Sequence, residues 1–95
     1  MQKCYIAGAI TGTQEYEHKF KEASLHVIKL GMVPVNPVTL LHNHDKTWES
    51  YMRECLSAML DCSAIYMLPC YPKSKGANLE HNLARSLNFN IIYAK

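Results

Sequence analysis

Short apolar runs alternate along this chain with longer stretches in which apolar residues recur every three or four positions. The short runs lie at residues 3–7, 32–35, 64–68 and 90–93, and the longer stretches at residues 13–30, 47–61 and 75–87. Short runs are typical of buried strands, and the longer spacing is typical of amphipathic helices. Strands that alternate with helices favour a parallel sheet covered on both faces. The pattern therefore predicts a three-layer α/β fold with four to five parallel strands, of the flavodoxin or Rossmann type.

Length and charge limit the organisation of the chain and its partners. With 95 residues, the chain is expected to form a single domain over residues 1–95. The net charge is only +2 and the lysines are scattered, which argues against a nucleic-acid partner. No apolar run approaches the roughly 20 residues that span a bilayer, so no membrane partner is expected.

The cysteines and histidines favour a cytoplasmic protein without a metal. None of the cysteines forms a CxxC pair, and their spacing matches no zinc template; they are Cys4, Cys55, Cys62 and Cys70. Reduced thiols are therefore expected. His42 and His44 lie beside Asp45, but no third ligand at a useful spacing is evident, so residues 38–46 are expected to form a surface loop. No metal and no cofactor are predicted.

Two of the predicted strands end in loops that are suited to hold a ligand. The first loop has two glycines that allow a tight turn and a close approach of backbone to ligand; it consists of Gly8, Ala9, Ile10, Thr11 and Gly12. It matches neither GxGxxG nor a Walker loop. The second loop leads into the third helix, with Ser74 at the cap position and Gly76 just inside. Free N–H groups and the positive end of the helix dipole favour an anion there.

Glu80, about one turn into the third helix, is the main chemical clue. The helix residues expected to face inward are Leu79, Leu83, Ala84 and Leu87. Glu80 should therefore lie at the edge of the core, where a carboxylate is either paired or functional; a solvated helix residue is the alternative. Parallel strands place their carboxyl ends at one edge, so Glu80, Tyr5 and both loops should line one crevice. Tyr5 is otherwise a core aromatic.

Three stretches resemble the nucleoside 2-deoxyribosyltransferase-like superfamily. They are YIAGAITG from Tyr5, W-x-x-YMR from Trp48, and IYMLP…SKGANLEHNLA from Ile65. Within that superfamily they look closest to small phage and bacterial proteins without an assigned function, and they are also similar to the 2′-deoxynucleoside 5′-phosphate N-hydrolases. The resemblance covers nearly the whole chain. It implies cleavage of the N-glycosidic bond of 2-deoxynucleosides or their 5′-phosphates.

The resemblance also implies roles for individual residues. Glu80 matches the nucleophile, Ser74 matches a serine that binds the 5′-phosphate, and Tyr5 with the loop at residues 8–12 matches the first-strand tyrosine and its glycine loop. One position departs from the pattern, because the aspartate that assists the leaving base is Cys55 here. Glu54 is adjacent, but one residue along a helix is about 100° around it, so Glu54 is no obvious substitute.

Two functions follow from these features. The first is an enzyme that cleaves or transfers at a nucleoside or nucleotide, in which Glu80 forms a covalent glycosyl ester. The second is a catalytically weak protein that binds or sequesters a nucleotide in the same pocket. Glu80 and Ser74 favour the first. Cys55 favours the second, because the missing acid is worth roughly 10²–10⁴-fold in rate.

A homodimer or a larger homo-oligomer is also predicted. Small domains leave a large share of their surface exposed. Aromatic and methionine residues are enriched at interfaces, and the second helix carries several of them over a broad face: Trp48, Tyr51, Met52, Leu56 and Met59. The resemblance implies that neighbouring subunits help to complete each pocket. In the alternative, Trp48 and Tyr51 pack under the loop at residues 38–46, and the methionine and tryptophan stripe belongs to the core.

Overall fold

The computed structural model describes residues 2–10, 15–39 and 47–94. The strands are β1 (Lys3–Ala7), β2 (Val33–Val35), β3 (Ala64–Met67) and β4 (Asn90–Tyr93), and the helices are α1 (Tyr16–Lys29), α2 (Trp48–Leu60) and α3 (Lys75–Ser86). Short 3₁₀ turns at Pro37–Thr39 and Tyr71–Lys73 follow β2 and β3. The predicted start of the first helix, Thr13, lies outside the described residues.

The four strands form one parallel sheet in the order β2-β1-β3-β4. The predicted α/β fold is therefore confirmed, with four strands in the described part of the chain. β3 is buried along its whole length and β1 from Cys4 onward, as expected for central strands that are covered on both faces. Within the sheet, β2 lies beside one edge of β1 and β3 lies beside the other edge, so the direction in which strands are added reverses after β2. This reversal opens a crevice beyond the carboxyl ends of β1 and β3.

Alternate residues of the central strands point to opposite layers. On one face, Ile6 and Tyr66 pack with the α1 residues Phe20 and Val27. On the other face, Tyr5 and Ile65 pack in one cluster with residues of α2 and α3, among them Cys55, Met59, Ala77 and Ala84. Tyr5 is therefore directed towards the two helices that flank the crevice.

The predicted inward face of α3 is wrong for two of its four residues. Leu79 and Leu87 are exposed by 42% and 48%. Ala84 is fully buried and Leu83 partly buried. The inward face instead consists of small residues and one carboxylate: Gly76, Ala77, Glu80 and Ala84. Small side chains allow α3 to lie close to the sheet, and this turns the adjacent leucines outward.

Within α2, the apolar stripe is divided between the core and the surface. Met52 and Met59 are buried within the chain itself, whereas Trp48 is 39% exposed. Trp48 is the first residue of the helix, where fewer neighbours surround it. The alternative that the methionine and tryptophan stripe belongs to the core therefore holds for Met52 and Met59 but not for Trp48. Over the described residues, no helix combines the length and apolarity that crossing a membrane requires.

Candidate active site

A cavity of about 490 Å³ lies beyond the carboxyl ends of β1 and β3. Residues of β1, the loop after it, α2 and the first turns of α3 line it, so both predicted loops border it. Cavities of roughly 300–1,000 Å³ are the size that small molecules and cofactors occupy. The topology therefore brings distant parts of the chain to a site large enough for a small organic ligand.

Glu80 and Tyr5 form a buried hydrogen-bonded pair in the wall of this cavity. The Tyr5 hydroxyl donates to Glu80 Oε2 at 2.6 Å, and Glu80 is only 5% exposed. Glu80 is thus a paired carboxylate within the core, and the alternative of a solvated helix residue is wrong. Tyr5 is both a core aromatic and a partner of the carboxylate, because its ring is buried while its hydroxyl reaches Glu80.

Burial raises the pKa of Glu80 from its ordinary value of 4.5 to about 7, and the hydrogen bond from Tyr5 opposes part of this rise. Burial likewise raises the pKa of Tyr5, and the nearby Glu80 carboxylate adds to the increase. At neutral pH, Glu80 therefore occurs in both its protonated and ionised forms, while Tyr5 remains a neutral hydrogen-bond donor. A carboxylate with such a pKa can act as a nucleophile, a base or an acid.

Cys55 and Tyr51, on one face of α2, extend this pair. Both line the cavity. Burial raises the pKa of Cys55, and hydrogen bonds with Tyr5 and Tyr51 oppose that rise. The thiol therefore remains protonated at neutral pH. Glu54 is half-buried and does not line the cavity, as expected for a residue about 100° further around the helix.

The start of α3 faces the same cavity. Ser74 Oγ accepts the backbone N–H of Ala77 at 3.1 Å, so Ser74 caps the helix as predicted. Gly76 lies where a Cβ atom would approach Met52 Sδ to 2.9 Å. Ser74, Gly76 and Ala77 all line the cavity. The N-terminal end of α3, where the helix dipole favours an anion, thus faces this cavity.

The first loop contributes only part of its predicted set. Gly8 and Ile10 line the cavity. Ala9 does not: it is buried, and its N–H donates to Cys70 Sγ at 3.4 Å. The prediction of Ala9 as a binding residue therefore finds no support, because its backbone is engaged on another side. Thr11 and Gly12 lie outside the described residues.

Three aromatic side chains line the cavity without having been predicted as binding residues: Tyr16, Trp48 and Tyr51. The Lys75 ammonium lies 4.2 Å from the centre of a Trp48 ring. A sequence signal for Tyr51 existed, because it precedes Cys55 by four positions and therefore shares its helix face.

Within residues 2–10, 15–39 and 47–94, no three metal-ligating side chains of the His, Cys, Asp or Glu type come together. His42 and His44 lie outside these ranges, so the structure does not test the surface loop predicted there.

Comparison with known proteins supports this fold and assigns the family. A solved structure described as a 2-deoxyribosyltransferase from Bacillus psychrosaccharolyticus is similar to this chain with a TM-score of 0.72 and 14% sequence identity. The similarity covers 96% of this chain and 70% of the other, and at this identity it establishes the fold. No curated protein sequence matches the chain. The model for the domain of unknown function DUF4406 matches residues 2–93, and the chain therefore belongs to the DUF4406 family.

Proposed function

We propose that this protein binds a nucleoside or nucleotide in the cavity and cleaves its N-glycosidic bond, by hydrolysis or by deoxyribosyl transfer. One observation carries the proposal: a buried carboxylate, Glu80, is held by Tyr5 in the wall of a cavity of suitable size. The shared fold with a protein described as a 2-deoxyribosyltransferase supports it.

In the proposed mechanism, ionised Glu80 attacks the anomeric carbon of the sugar. Displacement there passes through an oxocarbenium-like state, whose positive charge the carboxylate stabilises before a covalent glycosyl ester forms. The Tyr5 hydroxyl, 2.6 Å from Oε2, orients the carboxylate and leaves its other oxygen for the attack. Water or a second base then releases the sugar from Glu80.

The start of α3 is the proposed site for a 5′-phosphate. Ser74 Oγ accepts a hydrogen bond from Ala77, and its own O–H can still donate to a phosphate oxygen. Backbone N–H groups of the first turn and the helix dipole add to this attraction. The aromatic rings of Trp48 and Tyr51 are the proposed packing surface for the base.

A second candidate function is binding or sequestration of a nucleotide without turnover. Cys55 favours it, because its thiol retains its proton and occupies the position where the resemblance implies an acid. A neutral base is a poor leaving group without such an acid.

Incubation with deoxynucleosides and their 5′-monophosphates, with the released free base measured by chromatography, distinguishes these functions. We expect Glu80→Gln to reduce base release at least a hundredfold, because the amide keeps the shape but is no nucleophile. Glu17→Gln, an exposed position on α1, is the matched control and should behave as the parent. Ligand binding by the parent without release would support sequestration. Equal release by the parent and Glu80→Gln would contradict the proposed mechanism.

A further inference from the structure

We propose that the preferred substrates of this site are N-glycosides whose base already carries a positive charge, such as pyridinium nucleosides. The inference rests on the proposed function, because it assumes bond cleavage at Glu80, and it narrows the class of the leaving base.

The first argument is the supply of protons in the cavity. Among the described residues that line it, Glu80 is the one acidic side chain. Glu80 must be ionised to attack, so it cannot protonate the leaving base in the same step. Tyr5 and Cys55 both have raised pKa values and are weak acids. A neutral base therefore lacks a proton donor in this part of the site, whereas a cationic base needs none.

The step balances without any further reactant. Glu80 forms a bond to the anomeric carbon, and the bond from that carbon to the ring nitrogen breaks. The electron pair of the broken bond remains on the nitrogen and neutralises the pyridinium, which leaves as a neutral base. Water then attacks the glycosyl ester, Glu80 returns to the carboxylate, and the released proton passes to solvent.

The second argument is charge. No lysine, arginine or histidine is among the described residues that line the cavity. The titratable groups near Glu80 are Tyr5 from β1, and Tyr51 and Cys55 from α2. All three have raised pKa values and are neutral at pH 7, so none offers a counter-charge. A cationic base would supply the positive counter-charge. An opposite charge at short range favours the ionised form of Glu80.

The third argument is the character of the walls. Tyr16, Trp48 and Tyr51 line the cavity, and aromatic faces attract cations. The Lys75 ammonium lies 4.2 Å from the centre of a Trp48 ring, so a cationic base at Trp48 would have to displace it, whereas no cation–π contact with Lys75 involves Tyr16 or Tyr51 among the described residues. A flat cationic ring therefore fits these aromatic walls.

Binding gives a test that does not depend on turnover. Trp48 is the single tryptophan of the chain and lines the cavity, so its fluorescence reports occupancy. The probes are nicotinamide riboside and benzamide riboside, a neutral carbon-linked analogue of the same shape. As the pH rises towards 7, we expect the affinity for nicotinamide riboside to increase about tenfold per pH unit, because the cation binds ionised Glu80. Above pH 7 the affinity should level off. Benzamide riboside should show no such increase, and Glu80→Gln should abolish it. The same pH profile for both ribosides would overturn the inference.

Turnover separates this inference from the proposed function. The enzyme should accelerate release of nicotinamide from nicotinamide riboside, relative to the uncatalysed rate, at least a hundredfold more than release of hypoxanthine from inosine or 2′-deoxyinosine. Equal acceleration of both classes would overturn the inference and leave the proposed function standing. Acceleration of neither class would overturn both. Cys55→Asp, which adds an acid, should raise the ratio of hypoxanthine release to nicotinamide release, and an unchanged ratio would contradict the argument from the missing proton donor.

Discussion

One serine oxygen links the structure of α3 to the proposed binding of phosphate. Ser74 Oγ accepts the N–H of Ala77 at 3.1 Å and thereby satisfies one of the free donors at the start of the helix. The same side chain lines the cavity. A substitution at this position therefore acts on stability and on affinity, and the two effects have to be measured separately.

We expect Ser74→Ala to weaken binding of a 5′-monophosphate roughly tenfold more than binding of the matching nucleoside, because a hydrogen bond to a charged group is lost. The free energy of unfolding should fall by about 1 kcal/mol through loss of the cap. Titration of both ligands and denaturation in urea measure the two effects. Ser74→Thr keeps a hydroxyl and a cap, and is the control. Equal losses of affinity for both ligands would leave Ser74 as a helix cap alone.

At the residue scale, the sequence predicted the location of a side chain well where that side chain lies close to the boundary between a loop and a helix. Ser74, Gly76 and Glu80 were placed correctly in one crevice because each lies in the first turns of a helix that follows a strand. Ala9 does not line the cavity, because the direction of a backbone N–H in a loop depends on tertiary neighbours, here Cys70. The hydrogen bond from Tyr5 to Glu80 joins residues separated by 75 positions, and no local pattern encodes it.

At the scale of elements, the end of β1 fits tightly against the end of β3. A Cβ atom on Gly8 would lie 2.7 Å from Cδ1 and 3.0 Å from Cβ of Leu68. Contacts this short require that something shifts, and the Cβ atom of Leu68 is fixed to the backbone. Gly8, which lines the cavity, therefore permits the close approach of the segments that follow β1 and β3.

We expect Gly8→Ala to lower the free energy of unfolding by about 1–3 kcal/mol, because the added methyl group overpacks this junction. Denaturation in urea provides the measurement. A double-mutant cycle with Leu68→Ala is the control, since the cost of Gly8→Ala should fall when the leucine is shortened. If the effects of the two substitutions on the free energy of unfolding were additive, the cost of Gly8→Ala would not arise from contact with Leu68.

The strands were predicted more accurately than the buried face of α3. β1 and β3 are covered on both sides, so their apolar runs are unbroken and easy to recognise. The orientation of α3 depends instead on close approach to the sheet through Ala77 and Ala84 and to Met52 of α2 at Gly76. Small residues carry little hydrophobic signal. Leu79 and Leu87 therefore appeared to mark the inward face, although both are exposed.

For the whole molecule, buried Glu80 makes stability depend on pH. Its pKa rises from 4.5 to about 7 on folding, so the folded state binds the proton more tightly than the unfolded state. This contribution is fully present below pH 4.5 and is lost as the pH rises through 7. A shift of this size corresponds to roughly 3 kcal/mol. Between pH 4.5 and pH 8, the free energy of unfolding of the parent, measured by urea denaturation, should fall by this amount relative to that of Glu80→Gln. Parallel profiles of the two proteins would contradict the assignment.

We also expect a homodimer or a larger oligomer. Large apolar side chains remain exposed on α1 and α2 or beside them, namely Leu25, Ile28, Leu30, Trp48 and Leu60. Small domains often bury such residues against a second copy. Light scattering at micromolar concentration should give at least twice the 10.8 kDa of one chain. A mass of 10.8 kDa would contradict this prediction, and a single chain would then have to complete the cavity by itself.

The central position of β1 also determines when during synthesis the protein can mature. β1 leaves the ribosome before the other three strands, but one of its neighbours in the sheet is β3, and the partner of Tyr5 lies at position 80. Contacts between such distant segments slow folding. Until β3 and α3 emerge, an apolar strand remains without its cover, and incomplete sheets of this kind are prone to aggregation. A nascent chain interrupted before α3 lacks Glu80 altogether, so a truncated product of translation would lack the proposed nucleophile.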